Sequence, residues 1–132
     1  MDDSFKSLLP LLLPEGLLVY FTLSNHKFNE EILHIYLEEK NLIPDEHSGQ
    51  KILSKGFFEP VTIQDFPIRG RNVFLHIKRR RWLNLETNKA VHRNWDLVSQ
   101  GTRITKDFAA FLKEIGRYTS SKSSNHWFIL WN

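Results

Sequence analysis

The chain has no cysteine. Disulfides and thiolate-bound metals are therefore excluded, and a reducing, cytoplasmic setting is expected. No apolar run approaches the length needed to cross a bilayer, so no membrane partner is expected. The leucine-rich start "LLPLLLPEGLL" (residues 8–18) has the composition of a signal peptide without its flanks. It follows Asp2 and Asp3 rather than a basic segment, and Pro10 and Pro14 interrupt it. It reads as a core-packing helical segment. Glycine is sparse, and no Gly-rich phosphate loop or nucleophile elbow occurs. His26, His34, His47, His76, His92 and His126 fall into no metal-ligand spacing. The adjacent carboxylates Glu30–Glu31 and Glu38–Glu39 read as hairpin surface rather than acid/base pairs. Neither catalysis nor a cofactor or metal is expected of this chain.

What is present is charge, unevenly placed. Residues 1–68 hold 5 Lys/Arg and 11 Asp/Glu, whereas residues 69–132 hold 13 Lys/Arg and 4 Asp/Glu. The basic half would attract a polyanion. A length of 132 residues predicts one domain.

The pattern predicts an α+β fold. Phe5, Leu8, Leu9 and Leu12 lie at helical spacing, with Pro10 expected to break the run into two short turns. A further helical turn is expected after Pro14. "FTLSNHKF" (21–28) and "ILHIYLEE" (32–39) predict an antiparallel β-hairpin. On its second strand Leu33, Ile35 and Leu37 share one face, and His34, Tyr36 and Glu38 the other. Residues 40–60 are less regular, and "NLIPDEHSGQK" (41–51) reads as a loop. "PVTIQDFPIRG" (60–70) reads as a short strand, and "RNVFLHIKRRRWLN" (71–84) as one long strand. "AVHRNWDLV" (90–98) is expected to return beside it and form a second, basic hairpin. "TRITKDFAAFLKEIGRY" places Phe108, Phe111, Leu112 and Ile115 on one face of a C-terminal helix. Thr105 is its expected N-cap and Gly116 its expected stop. The Ser/Lys stretch that follows reads as a linker. The domain is expected over 1–118, with 119–132 a flexible or aberrant tail whose apolar "HWFILWN" has no evident burial site.

Lys78, Arg79, Arg80 and Arg81 form a run of like charge ending in Trp82. In an extended strand Lys78, Arg80 and Trp82 face one way, and Arg79 and Arg81 the other, so no single face hides all four cations. The strand is expected to leave the core as a projecting arm whose counter-charge lies outside the protein. Arg pairs with phosphate through two hydrogen bonds, and Trp82 and Trp95 offer a stacking plate or a wedge between bases. Arg93 adds a fifth cation. Thr102, Arg103 and Thr105, in "GTRIT" (101–105) at a helix start, would add phosphate donors.

"LLLPEGLL", "IYLEEKN", "SKGFFEPVTIQDFPIRG", "VFLHIKRRRWLN" and "GTRITKDFAAFLKEI" resemble the N-terminal region of bacterial insertion-sequence transposases of the ISAon type, common in Bacteroidota. The resemblance covers about residues 8–115. It implies a DNA-binding module that recognises the terminal inverted repeats of the element in double-stranded DNA. Catalysis would then reside on a separate DDE transposase polypeptide. Related transposases carry a zinc ribbon after the "RRRW"-like motif; here "LNLETNKAVHRNW" has no cysteine, so a ribbon-like hairpin without its metal is expected. Two other readings stay open: a protein-interaction module docking on the catalytic polypeptide, and an inactive transposase remnant.

Overall fold

The computed structural model describes residues 3–95, 97–98, 106–120 and 127–129. Helix α1 (Asp3–Leu12) is followed by the single turn α2 (Leu17–Tyr20). Strands β1 (Phe21–Asn29) and β2 (Ile32–Glu39) then form the expected hairpin. A 3-10 turn (Asp45–His47) leads to β3 (Ile52–Phe57), β4 (Val61–Ile68), β5 (Arg71–Lys78), β6 (Arg80–Asn84) and β7 (Lys89–Val91). Helix α3 (Lys106–Ser120) and strand β8 (Trp127–Ile129) complete the described chain. The architecture is α+β. Among the described residues no helix is long and apolar enough to cross a membrane.

The strands form two sheets. The larger runs β1-β2-β5-β4-β8, and the smaller β3-β6-β7. The larger sheet is mixed, because β2 and β5 are parallel, with His34 beside Phe74, Tyr36 beside His76 and Glu38 beside Lys78. Strands β4 and β5 meet in a tight hairpin. Arg69 (φ 55°) and Gly70 (φ 76°) both take the positive φ that a two-residue turn of matching twist requires.

The core lies on one face of the larger sheet. Ile35 and Leu37 of β2, Val73, Leu75 and Ile77 of β5, and Val61 and Ile63 of β4 point into it. Leu9, Leu13, Leu17, Trp95, Phe108, Phe111, Leu112 and Ile115 cover them. The α3 face is as its periodicity predicts. Gly16 (φ 97°) lets the Phe108 ring approach, since a Cβ there would stand 3.0 Å from it.

Several expectations are corrected. Helix α1 continues across Pro10, which is exposed. Leu9 and Leu13, one turn apart, face the core, while Leu8 is exposed. Residues 52–57, within the stretch that showed no regular pattern, are β3. The long strand 71–84 is two strands in two sheets, with the break at Arg79. Its second hairpin is β6–β7 alone, and β5 pairs with β2 and β4 instead. Helix α3 runs past Gly116. Residues 127–129 pair parallel with β4, Thr62 beside Trp127, at the sheet edge. Thr102, Arg103 and Thr105 lie outside the described residues.

Candidate nucleic-acid interface

The basic run does not form an arm. Lys78 ends β5 exposed and sits 3.9 Å from Glu38, its register neighbour on β2. Arg79 crosses from one sheet to the other. It is buried, its carbonyl accepts the Phe58 amide (2.9 Å), and its guanidinium lies 5.4 Å from the Phe58 ring centre. Arg80 is half-buried. Its Nε donates to the Glu39 carbonyl (3.0 Å) and its Nη1 to Ser54 Oγ (2.6 Å). Arg81 is exposed. Inward-facing residues are odd-numbered through Arg79 and even-numbered from Trp82. That change of phase lets one chain segment serve two sheets.

Trp82 and Trp95 are core residues, 1% and 2% exposed. Trp82 Nε1 donates to Asn41 Oδ1 (3.0 Å). Trp95 stacks on Phe21 with ring centres 5.4 Å apart and meets Tyr20 edge-on at 5.6 Å. Neither ring is placed to stack on a base. Arg93 is also buried, with its guanidinium 5.1, 5.8 and 5.6 Å from the rings of Tyr20, Trp82 and Trp95.

The counter-charge of Arg93 is inside the protein. Glu39, 1% exposed, accepts Arg93 Nε at Oε2 (2.8 Å) and the Arg80 amide at Oε1 (2.9 Å). Burial pushes the Glu39 carboxyl above its ordinary range, against the pull of its bonds from Arg93 and Arg80. Glu39, read from sequence as hairpin surface, therefore joins β2 to the segments following β5 and β7. Sequence reasoning missed it because its partners lie 41 and 54 residues away.

The other candidate surface is the face of the larger sheet turned away from the core, whose rings are half-buried. Outward-pointing rings of β2 and β5 form a column. Phe74 stacks on His34 (centres 5.9 Å), His34 on His76 (5.1 Å) and His76 on Tyr36 (4.5 Å), with planes within 25° throughout. His34 Nδ1 and His76 Nε2 share a hydrogen bond (2.8 Å), and Thr62 Oγ1 meets His76 Nδ1 (3.1 Å). Lys27 Nζ stands 5.7 Å from the Tyr36 ring centre. The sequence signal was the strand parity of His34 with Tyr36 and of Phe74 with His76; only the parallel pairing joins the two sets. Among the described residues no group of three or more His, Asp or Glu is arranged to hold a metal.

Burial, and then the nearby His34, lower the His76 pKa to about 4, so its ring is neutral at pH 7. The unfolded chain takes up this proton near pH 6.5 and the folded chain only near pH 4. The contribution of His76 to stability is therefore complete above pH 6.5 and is lost as pH falls toward 4. Thermal unfolding across that window is expected to show a steeper acid loss in the native protein than in His76→Gln. Parallel curves would exclude a depressed His76.

Comparison with protein-family models, curated proteins and solved structures finds no match to this chain.

Proposed function

We propose that this chain is a non-catalytic DNA-binding module, the N-terminal region of an insertion-sequence transposase, which holds the ends of the element for a separate DDE polypeptide. The observation in its favour is a set of exposed cations: Lys27 on β1 and Lys78 at the end of β5, which line one cavity on the outer face of the larger sheet, and Arg81 on β6 of the smaller sheet. Arg79 and Arg93 are occupied inside the fold and leave the phosphate-facing set. Of the expected contacts on the basic run, Lys78 and Arg81 remain, and Lys27 joins them. The excess of Lys and Arg over Asp and Glu, +3 in all, favours a polyanion.

Three phosphate contacts predict a log–log salt dependence of duplex affinity near −2.7, from about 0.9 per contact. Removing Lys27, Lys78 or Arg81 singly should make the slope shallower by about 0.9 and weaken inverted-repeat and scrambled duplexes alike, since phosphate contacts carry no base sequence. Fluorescence anisotropy over a salt series checks this. A flat slope with no binding would defeat the reading.

Docking on the catalytic polypeptide is the second reading. In its favour, exposed Leu42, Ile43 and Leu97 line a groove of about 520 Å³ beside Asp45 and Glu46. It predicts stable co-purification with that polypeptide and DNA binding insensitive to salt.

A further inference from the structure

We propose that the cavity at the Tyr36 end of the ring column holds one unpaired nucleotide, its base stacked on Tyr36 and its phosphate between Lys27 and Lys78. The proposal rests on the DNA-binding reading above and specifies which form of DNA the site takes.

The cavity measures about 460 Å³, and Ser24, Asn25, Lys27, Tyr36, His76 and Lys78 contribute to its wall. That volume suits a single small ligand. Its concavity takes one nucleotide, while Lys27 and Lys78 in its wall stay exposed to the phosphates of an adjoining duplex. A break in strand register between Leu23 and Asn25 falls at the wall of this cavity, which Ser24 and Asn25 line. Bulges of this kind recur beside binding sites, because they re-aim side chains without dissolving the sheet.

The wall chemistry fits a nucleotide part by part. Tyr36 ends the column of Phe74, His34, His76 and Tyr36, and a planar base that continues the stack takes the place of the Lys27 ammonium, which stands 5.7 Å from the Tyr36 ring centre and swings to the phosphate. Each base has a π-face, and stacking on an aromatic side chain contributes about 1–3 kcal/mol per base. The column is preorganised by the His34–His76 and Thr62–His76 hydrogen bonds, so little ordering remains to be done on binding. His76 is neutral at pH 7, which leaves the positive charge of the site on the two lysines. Lys78 faces Glu38 at 3.9 Å, but that pair is solvent-exposed and weak, and a phosphate can compete for the ammonium. Asn25 Oδ1 accepts the His26 amide (2.8 Å), which leaves the Asn25 NH2 to donate to a base-edge acceptor. Ser24 Oγ donates to the Tyr36 carbonyl (3.2 Å) and keeps its lone pairs for a base-edge donor.

A base inside a duplex has both faces covered and cannot enter. The ligand must therefore offer a nucleotide already unpaired, as at a frayed, nicked or overhanging end.

The test compares three labelled DNAs at one salt concentration: a blunt duplex, the same duplex with a short single-stranded overhang, and that overhang carrying abasic sites. The expected result is about tenfold tighter binding of the overhang than of the blunt end, within the range that stacking supplies. The abasic overhang should lose that advantage, and 2-aminopurine in the overhang should be quenched on binding. Tyr36→Ala should remove the advantage and the quenching, and Tyr36→Phe should keep both. Equal binding of blunt, overhang and abasic DNAs by the native protein would overturn the inference while leaving the DNA-binding reading standing. Binding of none of the three would overturn both. An advantage that survives in the abasic DNA would assign the site to phosphate alone and defeat the base-stacking proposal.

Discussion

Glu39→Ala is expected to cost about 3–5 kcal/mol of stability, the range for removing one partner of a buried ion pair. The reason is what remains. Arg93 would keep its charge amid Tyr20, Trp82 and Trp95 with no carboxylate, and the Arg80 amide would lose its acceptor. A domain of this size is stable by about 5–15 kcal/mol, so the loss takes a large share of the total. Chemical denaturation should show it as a lower midpoint with unchanged steepness. Glu39→Gln should cost less, because its amide oxygen can still accept the Arg80 N–H. The double variant Glu39→Leu/Arg93→Met should be less damaging than the sum of its parts, since no buried charge is left unpaired. Additive losses in that cycle would mean that the two side chains do not act as a pair.

Trp95→Ala is the second large expected effect, about 3–5 kcal/mol from the lost ring and the cavity it leaves. Trp95 stacks on Phe21 of β1, which in turn meets Phe111 of α3 edge-on with ring centres 5.8 Å apart. The outcome separates two roles that sequence alone allowed for this residue. A core tryptophan lowers the melting temperature by more than about 10 °C when truncated in a chain of this length. DNA affinity would then be lost only as the protein unfolds. A DNA-contacting tryptophan leaves melting unchanged and weakens affinity in the folded protein. The structure predicts the first pattern, and the second would overturn the core placement of the ring.

The β1–β2 hairpin and the α3 core face were legible in the sequence because both rest on short-range periodicity. Leu33, Ile35 and Leu37 alternate, and Phe108, Phe111, Leu112 and Ile115 recur with the helical turn. Strand β3 was less legible, since Lys55 and Gly56 interrupt its apolar pattern and its pairing with β6 is irregular between Ser54 and Phe57. The basic run misled for a different reason. Four cations in a row have no local counter-charge, and local inspection sends them to solvent. Two acidic residues about 40 positions earlier lie beside them in space, Glu38 next to Lys78 and Glu39 next to the Arg80 amide.

Composition and periodicity by themselves determined the α+β class, the first hairpin, the amphipathic C-terminal helix and the absence of disulfides and thiolate metal sites. Each follows from residue type or from spacing within about ten positions. Only the tertiary structure decided which charges face solvent and which rings stack. Parallel pairing of β2 with β5 brings Glu39 to Arg80 and aligns His34, Tyr36, Phe74 and His76 in one column. Alternation in the local sequence marks the inner face of each strand, but which strand pairs with which, and in what direction, is decided across about 40 positions and leaves no signal in local sequence.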